Sequence, residues 1–201
     1  MEAGDLSEED GSALLGSLLE ACTGRLPLVP FEDKLDEGLA KRVAPSLIVR
    51  VLERKLEAYR FARRLLSGRS AEVAPELLVV MGEGVSQGTP QADLEAYVTE
   101  FSTRPQASFL TGAHMVCLLG QSAFDYQLTR SMLREAFENG GPADEWRYFI
   151  RIVLVARKRG LDDADIAEAA RQVLGRKGAL RDVSSRLGFT SRSLKGQPDS
   201  E

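Results

Sequence analysis

The stretch ARKRGLDDADIAEAARQV, residues 156–173, decides how the chain folds. Arg157, Lys158 and Arg159 stand where a helix C-terminus presents unpaired carbonyls and the negative end of its dipole. Gly160 accepts the left-handed conformation that closes a last turn without a Cβ clash. Asp162 then suits an N-cap, with Asp165 at the third helical position and Leu161 and Ile166 placed as a hydrophobic staple. One helix stops and the next starts, with hardly a loop between.

The same grammar recurs along the chain. In QGTPQADL, Gly88 stops a helix, Pro90 suits the first turn of the next and Leu94 is the apolar anchor. In KRVAPSLI, Pro45 opens a helix, with Val43 and Ile48 at the staple positions. SGRSAEVA supplies Gly68 as a stop and Ser70 as a cap. LGQSAFDY supplies Gly120, then Ser122 as a cap with Asp125 three residues on. NGGPADEW supplies Gly140, Pro142, Glu145 and Trp146. Junctions are therefore predicted near residues 42, 68, 88, 120, 140 and 160.

Between junctions the apolar residues follow a helical period. Leu47, Ile48, Val51, Leu52, Tyr59, Ala62, Leu65 and Leu66 mark one long helix whose stripe faces a core. Leu77, Val80, Met81 and Val85 mark the next, and Leu94, Tyr97, Val98 and Phe101 another. Leu128, Met132, Leu133 and Phe137, then Trp146, Phe149, Ile150 and Val153, then Ile166, Ala169, Ala170 and Val173 follow. No stretch alternates with period two. The predicted fold is all-α, without a sheet. About eight or nine helices form an antiparallel array or a short irregular α-solenoid, since short connections make sequence neighbours antiparallel.

Composition agrees with that class. The 201 residues are 43% hydrophobic, 28% charged and only 6% aromatic, with a net charge of −4, so nucleic acid is not an expected partner. No apolar run approaches the roughly 18 residues of a membrane span. The acidic start MEAGDLSEEDG lacks the positive n-region of a signal peptide, so the chain reads as soluble and cytoplasmic, or as exported once a leader has been removed. Cys22 and Cys117 read as separate thiols or as a pair. Three segments are predicted: residues 1–23 as an acidic first helix, 24–175 as the helical domain, and 176–201 as a basic tail with a short helix near 180–187 and disorder beyond. Ser7 is the predicted first cap, and Leu14, Leu15, Leu18 and Leu19 the inward face of the first helix.

Residues 24–66, GRLPLVPFEDKLDEGLAKRVAPSLIVRVLERKLEAYRFARRLL, carry a further pattern. Pro27, Pro30, Lys34, Glu37, Gly38, Ala40 and Lys41 match a G-x-P-x-x-P-x-x-x-K-x-x-E-G-x-A-K start, with Arg25 interposed after Gly24. In this the chain resembles a group of uncharacterised bacterial helical proteins, often exported, whose later junctions repeat G-V-P-P-x-x-I. The resemblance implies a helical fold and an exported location; it implies no reaction and no ligand.

The most concentrated polar feature is Lys34, Glu37, Gly38 and Lys41, whose charges share one helix face at spacings of three and four. It reads either as a polar groove that Gly38 opens to a ligand or partner backbone, or as an exposed ion-pair ladder with Gly38 allowing tight helix packing. Trp146 and Tyr148 are the candidate aromatic anchors of a partner surface, against a core reading for Trp146. His114 and Cys117 are three apart, but one His and two Cys fall short of a zinc ligand set, so a packed histidine and thiol are the expectation. Asp162, Asp163 and Asp165 read as first-turn acids, not as a metal site. The tail LRDVSSRLGFTSRSLK invites a helix-turn-helix reading with Arg181, Arg186, Arg192 and Lys195 as phosphate contacts, but its second helix would end at Gly196 and Pro198. No phosphate loop, nucleophile elbow or H-E-x-x-H occurs, so no catalytic residue, metal or cofactor is assigned. The sequence therefore predicts a non-enzymatic scaffold that binds a protein or peptide. The alternatives are a carrier of an apolar or amphipathic small molecule and a DNA-associated regulator using the basic tail.

Overall fold

The computed structural model describes residues 8–70 and 72–189, and these contain ten α-helices, one 3₁₀ helix and no strand. The helices are α1 (Glu8–Thr23), α2 (Val29–Ala40), α3 (Pro45–Ser67), α4 (Pro75–Ser86), α5 (Gln91–Phe101), α6 (Gln106–Gln121), α7 (Tyr126–Glu138), α8 (Phe149–Lys158), α9 (Asp163–Leu174) and α10 (Leu180–Arg186), with the 3₁₀ turn at Asp144–Tyr148. None of them is long and apolar enough to cross a membrane. Ten helices exceed the eight or nine read from the sequence. The break at residues 102–105 carries no glycine; Pro105 is the N-cap of α6, has no amide hydrogen to donate back to Phe101 and disfavours helical backbone at Arg104.

The helices gather into two compact units, Met1–Gln87 and Gly88–Glu201. The boundary falls inside the 24–175 stretch that the sequence reads as one domain. In the first unit α3 is the axis, with α1, α2 and α4 packed on it. Its core is built from Phe31, Leu52, Leu56, Tyr59, Leu66, Leu77 and Met81, all nearly free of solvent. In the second unit α6 packs against α5, α7 and the 3₁₀ turn, while α9 packs against α7, α8 and α10. Phe101, Phe109, Leu133, Trp146, Val153, Ile166 and Val183 fill that core.

Seven helix ends close in one way. The amide two residues past the last turn donates back across five residues, at 2.8–3.2 Å, over a residue of positive φ: Leu26 to Ala21, Val43 to Gly38, Phe124 to Leu119, Gly141 to Ala136, Leu161 to Ala156, Gly178 to Val173 and Phe189 to Ser184. Glycine supplies the left-handed residue at 140, 160 and 188, whereas Arg25, Arg42, Ala123 and Lys177 supply it elsewhere, at φ of 51–54°. Asp162 caps α9 by accepting from the Asp165 amide at 2.8 Å, as its spacing predicts.

Three junction readings are corrected. Gly120 does not end α6, which runs on to Gln121; a Cβ there would lie 3.1 Å from Thr89, so this glycine serves close packing, and Ala123 makes the turn. Ser122 is the C-cap of α6, and Asp125 is the N-cap of α7, accepting from the Gln127 amide at 2.7 Å. Gly68 does close α3, as its C-cap with helical dihedrals, but Ser70 caps no helix, since α4 starts after Ala74 with Pro75 in its first turn. The inward face of α1 is also rotated. Leu14, Ser17 and Ala21 are buried, while Leu15 and Leu19 are 66% and 64% exposed. The Ser7 cap and the tail beyond Phe189 lie outside the described residues.

Specific polar contacts fix each unit. In the first, the Lys55 ammonium is buried and meets Glu83 at 2.5 Å, and the Tyr59 hydroxyl donates to the same carboxylate at 2.6 Å. Burial pushes the Glu83 carboxyl up, but the Lys55 and Tyr59 bonds outweigh it and hold the group below its ordinary range. Gly82 lets α4 lie flat on the Tyr59 ring, where a Cβ would come within 2.7 Å. In the C-terminal half of α3, Arg63 donates to the carbonyls of Gly24 and Arg25 just past α1, and Arg60 meets Glu20 at 2.7 Å. In the second unit Arg157 forks onto Asp163 at 2.6 and 2.7 Å and donates to the Ser122 carbonyl at 2.6 Å, joining the ends of α6, α8 and α9. Arg130 and Arg134 both close on Glu100.

Replacing Glu83 by Gln leaves the Lys55 ammonium buried without a counter-charge. Urea denaturation at neutral pH is expected to show a loss of about 2–3 kcal/mol, at the low end for buried pairs because Glu83 is partly exposed. Because the folded carboxyl is depressed, its stabilisation is present above the ordinary carboxylate range and fades as pH falls through the folded value. The gap between wild type and Glu83→Gln is therefore expected to narrow in acid. Lys55→Met with Glu83→Gln is expected to recover most of the loss.

Candidate functional site

The residues that the sequence singles out on α2 do come together. Lys34 and Lys41 reach Glu37 at 2.7 and 2.5 Å from the preceding and following turns. Hydrogen bonds from these two ammonium groups, and then their charge, hold the exposed Glu37 carboxyl down at about 2. Glu37 therefore stays ionised across the ordinary pH range.

Gly38 opens toward α3, not toward solvent. A Cβ at Gly38 would lie 2.8 Å from the Ile48 side chain, so the missing side chain lets the end of α2 press on the first turn of α3. Beside that contact lies an open groove of about 450 Å³, lined by Lys34, Glu37, Gly38, Lys41, Val43, Leu47, Ile48, Arg50, Val51 and Arg54. Its floor is apolar. Leu47 and Val51, which the helical period of α3 assigns to the core, are 47% and 37% exposed. The stripe on α3 is wider at its N-terminal end than the surface α2 covers. Its rim carries Lys34, Lys41, Arg50 and Arg54 against the single acid Glu37, and Arg50 and Arg54 meet no carboxylate among the described residues.

The aromatic anchors divide. Trp146 is 1% exposed and offers no surface, which corrects its place among partner-binding residues. The cause is the 3₁₀ turn: residues three apart eclipse one another there, so Trp146 and Phe149 point together into the core with centroids 5.8 Å apart. Tyr148 remains partly exposed, between Arg147 and Arg151, each guanidinium 4.8 Å from the ring centre. It borders a smaller hollow of about 380 Å³ against Leu180 and Ser184 of α10.

His114 is half-buried, and desolvation, with the nearby Arg147 charge, lowers its pKa despite Asp144. Cys117 is buried, and burial pushes its thiol up to about 12. Its backbone carbonyl accepts from the Thr89 hydroxyl at 2.9 Å. At a pKa of about 12 the thiol stays protonated across the ordinary pH range. Among the described residues no three His, Cys, Asp or Glu side chains gather around a common point. Of the basic tail, Arg181 is fully exposed on α10 and Arg186 bonds Gln172 at 2.5 Å, whereas Arg192 and Lys195 lie outside the described residues.

Two features escape the sequence reading. Lys55 sits among Leu52, Leu56 and Tyr59 on the buried face of α3, and a lysine inside an apolar stripe is the signal that a carboxylate must meet it. Arg50 and Arg54, one turn apart, flank Leu47 and Val51, but their role shows only once those leucine and valine positions are seen to be uncovered.

Compared with known protein families, curated proteins and solved structures, the chain matches none.

Both cysteines are free, Cys22 exposed on α1 and Cys117 buried in α6. Titration with a thiol reagent is expected to find one fast group per native chain and a second only after unfolding. Two fast groups, or none, contradict this placement.

Proposed function

We propose that this chain is a non-enzymatic helical interaction domain, each unit a short antiparallel helical array, and that the α2–α3 groove is its docking surface for a protein partner. The observation that carries this reading is the pair Leu47 and Val51, left uncovered on α3 beneath a rim of four cations. Exposed apolar side chains one turn apart form the kind of ridge that packs against another helix. Four cations against one carboxylate favour an acidic partner, so the fitting occupant is an amphipathic helix with leucine-like side chains on one face and acids beside them.

A second reading, a carrier of an anionic amphipath, is favoured by the groove volume of about 450 Å³, within the range of small-ligand sites. The openness of the floor favours the helix. Small-ligand sites bury most of their occupant, and here Val43, Leu47 and Val51 all stand partly in solvent.

The test uses the full chain and a fluorescent acidic amphipathic helical peptide with leucines at i and i+4. Binding is expected at low salt, weakening with added salt because the rim charges are exposed, and staying unchanged from mildly acid to neutral pH because Glu37 remains ionised. Leu47→Glu with Val51→Glu is expected to weaken it at least tenfold. Absence of peptide binding, or binding that the double substitution leaves unchanged, overturns the reading. Displacement of the peptide by a fatty acid, with tighter binding of that acid, supports the carrier instead.

A further inference from the structure

The first unit carries a second open apolar groove of opposite charge. Between α1 and the start of α2 lies a hollow of about 870 Å³ lined by Leu15, Leu19, Cys22 and Leu28, with Glu8 and Glu32 at its edge and no Lys or Arg among its lining residues. Leu15 and Leu19 are among the most exposed large apolar residues described, and they stand one turn apart on α1. The α2–α3 groove repeats the design with the charge reversed: Leu47 and Val51 one turn apart on α3, with Lys34, Lys41, Arg50 and Arg54 around them.

The two surfaces complement each other at every level. Each pairs an i, i+4 ridge with a neighbouring furrow, which is the geometry by which helices interdigitate. One edge is acidic and the other basic, so bringing them together neutralises charges that repel within each face. Among the described residues of the first unit, nothing covers either ridge: Leu15, Leu19, Leu47 and Val51 all stand exposed. A sequence carrying both halves of one interface is its own partner. Resting on the interaction reading above, we infer that the occupant of the α2–α3 groove is a second copy of this chain, presenting the Leu15–Leu19 ridge of α1. Such a contact joins two different patches, so the pairing is either reciprocal, with each α1 in the other copy's groove, or head-to-tail and able to continue.

Complementation tests this directly on the full chain. One variant, Leu15→Glu with Leu19→Glu, loses the α1 ridge and keeps the groove. The other, Leu47→Glu with Val51→Glu, loses the groove and keeps the ridge. All four positions are exposed or partly exposed, so both variants are expected to fold, with wild-type circular dichroism as the check. Light scattering after size exclusion is expected to give an assembly for wild type that dissociates with salt. Each variant alone is expected to be monomeric, and an equimolar mixture to form a 1:1 dimer through the one intact ridge-and-groove pair. A wild type that stays monomeric up to millimolar concentration overturns the inference, as does a mixture that stays monomeric while wild type assembles. If wild type is monomeric but still binds the acidic peptide in a Leu47-dependent way, only the identity of the partner falls. If it does neither, the interaction reading falls as well.

Discussion

Lys55 governs the first unit. An ammonium carried into the core by the apolar face of α3 is tolerable only against a carboxylate, and Glu83 is that carboxylate, 2.5 Å away. Meeting it sets where α4 lies along α3, and the Tyr59 hydroxyl and the bare Cα of Gly82 tighten the same contact. The alignment has a consequence at a distance. Because α4 stops at Ser86, one turn past Glu83, the first turns of α3 are left to α2. The close approach of Gly38 to Ile48 lets α2 cover part of that surface and no more. Leu47 and Val51 are what remains.

The same logic explains why the uncovered surface is not simply a flaw. An apolar stripe with nothing over it is an aggregation liability unless charge controls its company. Around Leu47 and Val51 the control is cationic; around Leu15 and Leu19 it is anionic. In the proposed pairing each edge repels its own kind and admits the other, so the charges would select the partner while the apolar ridges supply the driving force.

Much of this architecture is legible in the letters, and the failures have physical causes. Helix class, the Asp162 cap, the long α3 and the Lys34–Glu37–Lys41 ladder follow from local spacing, because each depends on residues within two turns. Junctions keyed to glycine were readable at Gly140 and Gly160. Near residue 120 the junction falls within a turn of its reading but is not made by the glycine, because Ala123 takes the left-handed role there and Gly120 answers a packing demand from Thr89, some thirty residues away. The face of α1 could not be fixed locally either. Four leucines in six residues give two possible stripes, and only the neighbours decide that Leu14 goes in while Leu15 and Leu19 stay out. Periodicity likewise placed Leu47 and Val51 in the core, since it records which face is apolar and not how much of it is covered. The candidate groove was thus half visible: its ion-pair edge was in the sequence, and its floor and the Arg50–Arg54 edge appeared only with the packing.

The most direct measurement of the central claim is amide hydrogen exchange on the full chain, compared at dilute and concentrated protein. If the ridge of α1 seats in the α2–α3 groove of another copy, exchange slows with concentration in both residues 12–22 and residues 43–54, together and to a similar degree, while α6 and α9 are unaffected. Exchange that is indifferent to concentration, or protection that develops in only one of those two segments, contradicts the account.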